Sequence, residues 1–383
     1  KALNPKSPEL LVAIGDVYME QANGSEAVKY YTEALKLNPN YVNAHVRTGK
    51  LWTRSLNYAE AKIAFDKAIK IDSTFAPIYR EYGELELTAK HFESAVENYK
   101  KYLFLTDKSL NSQLRYAKFL FYGKQFQESI DIIKQIVAKD SSDYINYRLL
   151  GYSSYEVKDY KAGLTAMNKF FSMNPAKILP QDYAYLGKLQ VKNKLDSLGV
   201  NTITRAIALD TTSRDLYGDL SDAYFSMKQY KLSAETYELK LLNTKPTAID
   251  YFNLGRKYYF GLEFAKSDSS FAKLLELNAA YKPAYLFRAR NNVQLDNVDK
   301  INDGLAKPFY EKFIELTIAD PKLDLKKSGK ELIEAYKYLG DYNYTILKDN
   351  AAAIGNFQKV IEIDPNDKDA KLNIEGLIKE SKK

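Results

Sequence analysis

Along almost the whole chain, apolar residues recur at i, i+3, i+4 and i+7 in paired stretches of helix length, with polar turns between them. A fixed interval runs through this pattern. The step from Gly15 to Gly49 is repeated to Gly83, to Ala117 and to Gly151. The next step, to Gly187, is slightly longer. Ser221, Gly255 and Ala289 return to the first interval, and Gly340 follows after one and a half intervals. A second series of small residues runs in parallel: Ala27, Ala61, Ala95, Ser129, Gly163, Gly199, Ser233, Ser267, Ala306 and Ala353. One helical turn after each sits a bulky side chain: Tyr31, Phe65, Tyr99, Ile133, Met167, Ile203, Tyr237, Phe271, Tyr310 and Phe357.

This pattern predicts a repeated helix pair. Small residues mark where two helix backbones must approach closely, and the bulky residue one turn later fills the space beside the contact. Units end at helix stoppers: Asn38-Pro39, Asn174-Pro175 and Asp364-Pro365, with Asp72-Ser73 and Asp210-Thr211 as versions without proline. Asn and Asp tolerate a left-handed turn, and Pro cannot continue a helix. One such pair cannot bury its apolar face alone, so neighbours must stack.

These residues resemble the tetratricopeptide repeat (TPR) family, whose signature is a helix–turn–helix of about 34 residues. The first repeat carries Gly15, Tyr18, Ala27, Tyr31, Ala34 and Pro39 in the family's slots, and the second carries Gly49, Trp52, Ala61, Phe65 and Ala68. The eighth carries Leu254, Gly255, Tyr258 and Phe271, and the last Leu339, Gly340, Ala353, Phe357 and Pro365. The resemblance covers about ten repeats and implies an all-α fold, a right-handed superhelical solenoid of stacked antiparallel helix pairs. Repeats one to nine are expected over 1–316, an irregular linker over 317–328, and the tenth repeat with a C-terminal capping helix over 329–383. The capping helix would set Leu372, Ile374, Leu377 and Ile378 on one side.

The repeats are not uniform. The fourth, about 110–143, lacks both the glycine and the second-helix alanine. The sixth carries a short insertion near Ile178–Pro180, and the ninth is stretched around Asp296–Asp303.

Composition narrows the chemistry. With 383 residues, 45% hydrophobic and 27% charged, the chain can bury a core. Cys is 0, which removes disulfides, thiolate metal sites and a Cys nucleophile. There are 2 His, His45 and His91, and no ligand partner stands at metal-site spacing from either. His45 is expected to pack and His91 to be solvated at an inter-helix turn. No phosphate-loop, dinucleotide, zinc-protease or nucleophile-elbow motif occurs. The stretch from Asp364 to Glu375 half-resembles a calcium loop, but Lys368 and Asp369 stand where an oxygen ligand and a glycine are needed. Two glycosylation-type triplets, Asn23-Gly24-Ser25 and Asn343-Tyr344-Thr345, are read as chance matches. Neither an enzyme nor a cofactor or metal is expected. Many of the 32 Tyr fall in the family's packing slots, among them Tyr18, Tyr31, Tyr99, Tyr224, Tyr237, Tyr258 and Tyr310, where the hydroxyl is expected to reach the rim.

In a TPR array the first helices line an inner, concave surface that usually binds an extended peptide. The first-helix positions turned away from the second helix are Arg47, Lys50, Arg80, Arg115, Lys118, Phe121, Arg148, Tyr152, Tyr155, Tyr185 and Lys188, then Phe252, Arg256 and Tyr259. Repeats two to six would thus present cations with interleaved aromatics, suited to carboxylates. Asp215, Asp219 and Asp222 interrupt the row. The Lys and Asn set with which one TPR subtype clamps a C-terminal carboxylate is incomplete in every window.

The expected function is therefore a non-enzymatic protein-interaction scaffold that takes a protein or peptide, acidic in character. An RNA-binding helical-repeat protein is the alternative, against which the net charge of only +7 stands. A part in a bacterial cell-envelope assembly acting on carbohydrate is a third reading. No apolar run is long enough to span a membrane. The chain starts at Lys1, as a processed or trimmed chain would. The Lys-, Asn- and Tyr-rich, Cys-free composition favours a bacterial periplasm or envelope, with the cytoplasm as alternative.

Overall fold

The computed structural model describes residues 7–299 and 304–381, with backbone alone for 297–299. Every regular element among them is a helix. The chain groups into two compact units that divide between Lys194 and Leu195.

The first unit holds five helix pairs: α1 (Pro8–Glu20) with α2 (Gly24–Leu37), α3 (Val42–Arg54) with α4 (Tyr58–Ile71), α5 (Ala76–Thr88) with α6 (Phe92–Phe104), α7 (Leu110–Tyr122) with α8 (Phe126–Lys139), and α9 (Tyr144–Glu156) with α10 (Tyr160–Ser172). Helix α11 (Pro180–Lys192) ends it. The second unit runs α12 (Asp196–Leu209), α13 (Asp215–Ser226), α14 (Tyr230–Leu241), α15 (Ala248–Phe260), α16 (Phe264–Leu277), α17 (Lys282–Asp299), α18 (Lys307–Ile318), α19 (Leu325–Tyr342), α20 (Asn350–Ile363) and α21 (Lys368–Glu380). A short π-helical turn, Asn343–Leu347, follows α19. Within each unit, successive helices pack on one another.

Both small-residue series sit at the helix contacts, as the pattern requires. Ala27, Ala61, Ala95 and Ser129 are at most 1% exposed. Tyr31, Phe65, Tyr99, Ile133 and Met167 are equally buried, one to a repeat, and burying each stabilises the fold by about 1.5–3 kcal/mol. Each inserts beside the small residue of its partner helix. A Cβ built on Gly49 would stand 2.6 Å from the Phe65 ring, and one on Gly340 2.7 Å from the Phe357 ring. Where serine replaces alanine, its hydroxyl bonds a backbone carbonyl across the pair. Ser129 Oγ donates to Ala117 O at 2.8 Å, and Ser267 Oγ to Gly255 O at 2.9 Å. That is how the fourth repeat keeps its packing with an altered sequence.

In the first unit the turn inside each pair has one geometry. Leu56, Lys90, Lys124 and Lys158 hold the same place in successive repeats and all take the left-handed conformation, with φ of 58°, 63°, 60° and 66°. The amide after each reaches back to close the helix: Asn57 N to Trp52 O at 2.9 Å, His91 N to Glu86 O at 2.8 Å, Gln125 N to Leu120 O at 2.8 Å, Asp159 N to Ser154 O at 2.9 Å. This is a Schellman closure with no glycine in the left-handed position.

Two irregular places are absorbed into helix. Helix α17 continues through Asp296 to Asp299, so the start of the ninth repeat's stretch extends the first helix; residues 300–303 lie outside the described residues. Of the expected linker 317–328, only 319–324 fall between α18 and α19, and Asp324 caps α19 by accepting from Lys326 N. In α21, Leu377 is buried and Ile374 packs on the core, while Leu372 and Ile378 face outward. The cap therefore buries only part of the expected apolar side.

The glycine contacts predict opposite outcomes for one kind of substitution. Gly49→Ala should destabilise by about 1–3 kcal/mol through overpacking, despite a helix-propensity gain of about 1 kcal/mol. Gly355→Ala, on helix α20 with open space around it, should stabilise by about 0.5–1 kcal/mol. Urea midpoints of the two variants test this, and equal shifts would show the register to be wrong.

Candidate binding surface of the first helices

Stacking repeats puts equivalent first-helix positions side by side, so charges one repeat apart can pair. In the first unit nearly all the expected arginines are taken in this way. Arg47 meets Asp16 of the preceding first helix at 2.9 Å, and Arg115 meets Glu84, again on the preceding first helix, at 2.6 Å. Arg80 bonds its neighbour Glu81 through Nε and Nη2 at 3.0 and 2.7 Å. The cations are thus not a bare row. The sequence reading missed Asp16, Glu81 and Glu84, although the equal offset of Asp16 from Arg47 and of Glu84 from Arg115 was available in it.

Arg148 is the most enclosed. Its Nε and Nη2 donate to Asp182 at 2.7 and 2.9 Å, Nη2 also donates to Lys177 O at 2.6 Å, and the guanidinium lies 4.8 Å from the Phe170 ring centre. Asp182 is fully buried and accepts further bonds from Tyr152 OH at 2.8 Å and Leu179 N at 2.6 Å. This cluster ties the insertion of the sixth repeat to α9.

Lys50 and Lys118 have no ion-pair partner among the described residues. Lys50, Arg80 and Arg115 share an open pocket of about 610 Å³ with Arg54, Glu81 and Glu84. Lys118 is half-buried, and desolvation pushes its amine below the ordinary lysine range; Asp143 pulls the other way, while Arg115 and Arg148 add to the fall.

The aromatics come together beside Lys118. Phe121 lies 6.0 Å from Tyr152, Tyr152 stacks on Tyr185 at 4.0 Å, and Tyr155 meets Tyr185 edge-on at 5.5 Å. Lys188 sits over Tyr155 and Tyr185 at 5.6 and 5.7 Å. Tyr152 is 5% exposed, so it forms the floor beneath the others rather than part of the open surface. In the second unit, Arg256 lies 5.8 Å from both Phe225 and Phe252, and Tyr259 packs on Phe287. Lys257 is buried against Asp222, which takes one member of the acidic interruption out of play. His45 is buried and donates from Nε2 to Pro39 O at 2.8 Å, while exposed His91 pairs with Glu86. No group of three or more His, Asp or Glu among the described residues could hold a metal ion.

Many buried tyrosines donate to a carboxylate: Tyr31 to Asp16 at 2.7 Å, Tyr116 to Glu128 at 3.3 Å, Tyr310 to Glu334 at 2.9 Å. Burial first, and the carboxylate second, push the Tyr116 phenol up to about 12, and burial brings Tyr338 to about 12 as well.

The tetratricopeptide repeat profile matches residues 8–41. Among solved structures, the C-terminal part of a TPR repeat-containing protein from Cytophaga hutchinsonii is 32% identical, over 68% of this chain and 99% of that one, with a TM-score of 0.57. A tetratricopeptide repeat protein from Parabacteroides merdae is 13% identical over 74% of this chain and 98% of that one, with a TM-score of 0.41. YrrB, a TPR protein described with an unusual peptide-binding site, is 17% identical over 58% and 95%, with a TM-score of 0.34. No curated protein matches the sequence.

Two outcomes follow from this geometry. The raised phenols are neutral in the fold up to about pH 12 but ionise near pH 10 when unfolded. Their stabilisation is complete below about pH 10 and is lost as pH rises through about 12. Urea midpoints should hold to about pH 10 and then fall, and spectrophotometric titration should reveal a class of tyrosines ionising late. Asp182→Ala should cost about 3–5 kcal/mol, because it strands Arg148 and the Tyr152 hydroxyl. Asp182→Leu with Arg148→Met should recover much of that loss.

Proposed function

The chain belongs to the tetratricopeptide repeat family, and from that premise we propose that it is a protein-interaction scaffold whose first-helix face in the first unit takes an extended peptide bearing carboxylates. The family supports the general role. The observation that carries the finer reading is Lys118, an ammonium held half-buried without a carboxylate to pair with, one helical turn from Phe121. Leaving a desolvated cation unpaired costs free energy, and a partner's carboxylate would offset that cost. The aromatic group of Phe121, Tyr155 and Tyr185 would hold the partner's apolar side chains over the Tyr152 floor. Preordered stacked helices keep the ordering cost of binding low.

The paired arginines have a lesser part in this reading. Arg47, Arg115 and Arg148 link neighbouring first helices and Arg80 bonds Glu81 on its own helix, so a ligand carboxylate would have to displace a partner already in place. Lys50 and Lys118 supply the available charge, and Lys188 flanks the aromatic surface.

The test is direct binding of an extended Glu- and Phe-containing peptide to the purified chain. Lys118→Ala should weaken binding about tenfold or more, since a hydrogen bond to a charged group contributes about 1.5–3 kcal/mol. Arg47→Lys should change it little, and rising salt should weaken it. A folded Lys118→Ala variant that binds as tightly as the parent would sink the proposal.

A further inference from the structure

The turn within each helix pair carries a second surface beside the first-helix face, where Tyr122 meets Phe121 edge-on at 5.7 Å. Its regular part is structural. An aromatic opens six of the ten second helices: Tyr58, Phe92, Phe126, Tyr160, Tyr230 and Phe264. The residue that ends each first helix does not recur in kind. At that register stand Arg54, Thr88, Glu156 and Ser226, but Tyr122 and Phe260 in the fourth and eighth repeats. Other repeats hold a small polar residue at that register, while Phe260 here also meets Phe225 at 5.3 Å and Tyr259 at 5.6 Å.

Both are nevertheless large and open to solvent, Tyr122 at 50% and Phe260 at 40%. Each lies against the opening aromatic of the repeat before. The Phe92 and Tyr122 rings stack at 6.4 Å, and the Tyr230 and Phe260 rings meet at 5.6 Å. Beside each pair is an open cleft, of about 470 Å³ in the first unit and about 610 Å³ in the second. The two clefts occupy the same register, four repeats apart in sequence.

Their charge is alike in number though not in placement, since Lys124 corresponds to Leu262 and Glu93 to Lys231. The first is bordered by Lys90, Lys124 and Glu93, and the second by Lys228, Lys231 and Glu235. None of the four lysines has an ion-pair partner among the described residues. Three of them, Lys90, Lys124 and Lys228, hold left-handed backbone at φ 63°, 60° and 58°, where glycine would be free of strain. The turn imposes that conformation whatever the residue, as at Leu56 and Lys158, so glycine would keep it.

We propose that these two clefts are equivalent docking sites for a partner-protein segment in which a bulky apolar side chain is flanked by carboxylates. The apolar group stacks on Tyr122 or Phe260, and the carboxylates take the two lysines that exceed the one glutamate. An aromatic anchor ringed by cations is the form of a binding hot spot.

The probe is the peptide Asp-Asp-Phe-Asp-Asp, titrated calorimetrically into the full chain. Tyr122→Ser and Phe260→Ser place at each site a residue type that this register already carries. Each should remove one binding site from the stoichiometry, and the pair should remove two, with circular dichroism showing the chain still folded and helical. Lys90→Gly with Lys124→Gly should weaken the first site at least tenfold while keeping the turn, because glycine suits its backbone. The Lys118→Ala variant of the first-helix face should leave both sites intact, so the two proposals stand or fall apart from each other. An unchanged titration by the double serine variant would overturn the assignment. So would equal binding of Lys-Lys-Phe-Lys-Lys.

Discussion

The structure depends on one contact repeated along the chain: a small residue on a first helix against a bulky side chain on its partner. At Gly49 and Phe65 the approach leaves no room for a methyl group. That closeness sets the distance and angle of the pair, and the pair sets the surface on which the next one stacks. Each contact is local in sequence, closing within a single repeat as from Gly49 to Phe65. A long chain can therefore hold a continuous core within each unit without long-range strand pairing or a disulfide.

Regular stacking has an electrostatic consequence. It brings each first-helix position next to its equivalent in neighbouring repeats, and charges of opposite sign pair across the seam, as Asp16 with Arg47 and Glu84 with Arg115. Exposed pairs of this kind contribute about 0–1 kcal/mol each, so they specify register more than they stabilise it. The buried Arg148–Asp182–Tyr152 cluster is different, since none of its members can be removed alone without stranding the others. Against that background Lys118 differs, since it is half-buried and has no ion-pair partner among the described residues.

The tyrosines show how one residue type meets two demands. Its ring fills the same slot as Phe65 or Ile133, and its hydroxyl reaches a carboxylate at the edge of the contact. A phenylalanine in the Tyr31 slot would leave Asp16 with Arg47 alone. A chain rich in tyrosine can thus stitch its repeats with hydrogen bonds while keeping a packed core.

The helix pairs, their spacing and their buried slots were legible in the sequence, because they follow from short-range periodicity and side-chain volume. Gly15, Ala61 and Phe65 could be assigned their places from position alone. Even the polar substitutes fell in register, although nothing in the sequence says that Ser129 would satisfy its hydroxyl on Ala117. The charge state of the candidate surface was not legible. Arg80, Arg115 and Arg148 read as an open cationic row, and only the tertiary structure set Glu81, Glu84 and Asp182 against them. The left-handed lysines at the turns were likewise present as a series of equal steps, but their backbone conformation has no reliable signature outside glycine and asparagine. The division has one physical reason. Packing is decided by residue size and helical period, which a sequence displays. Pairing is decided by which side chains approach once the helices have packed, most often ones about a whole repeat apart, as Glu84 with Arg115 and Arg148 with Asp182, though Arg80 takes the adjacent Glu81.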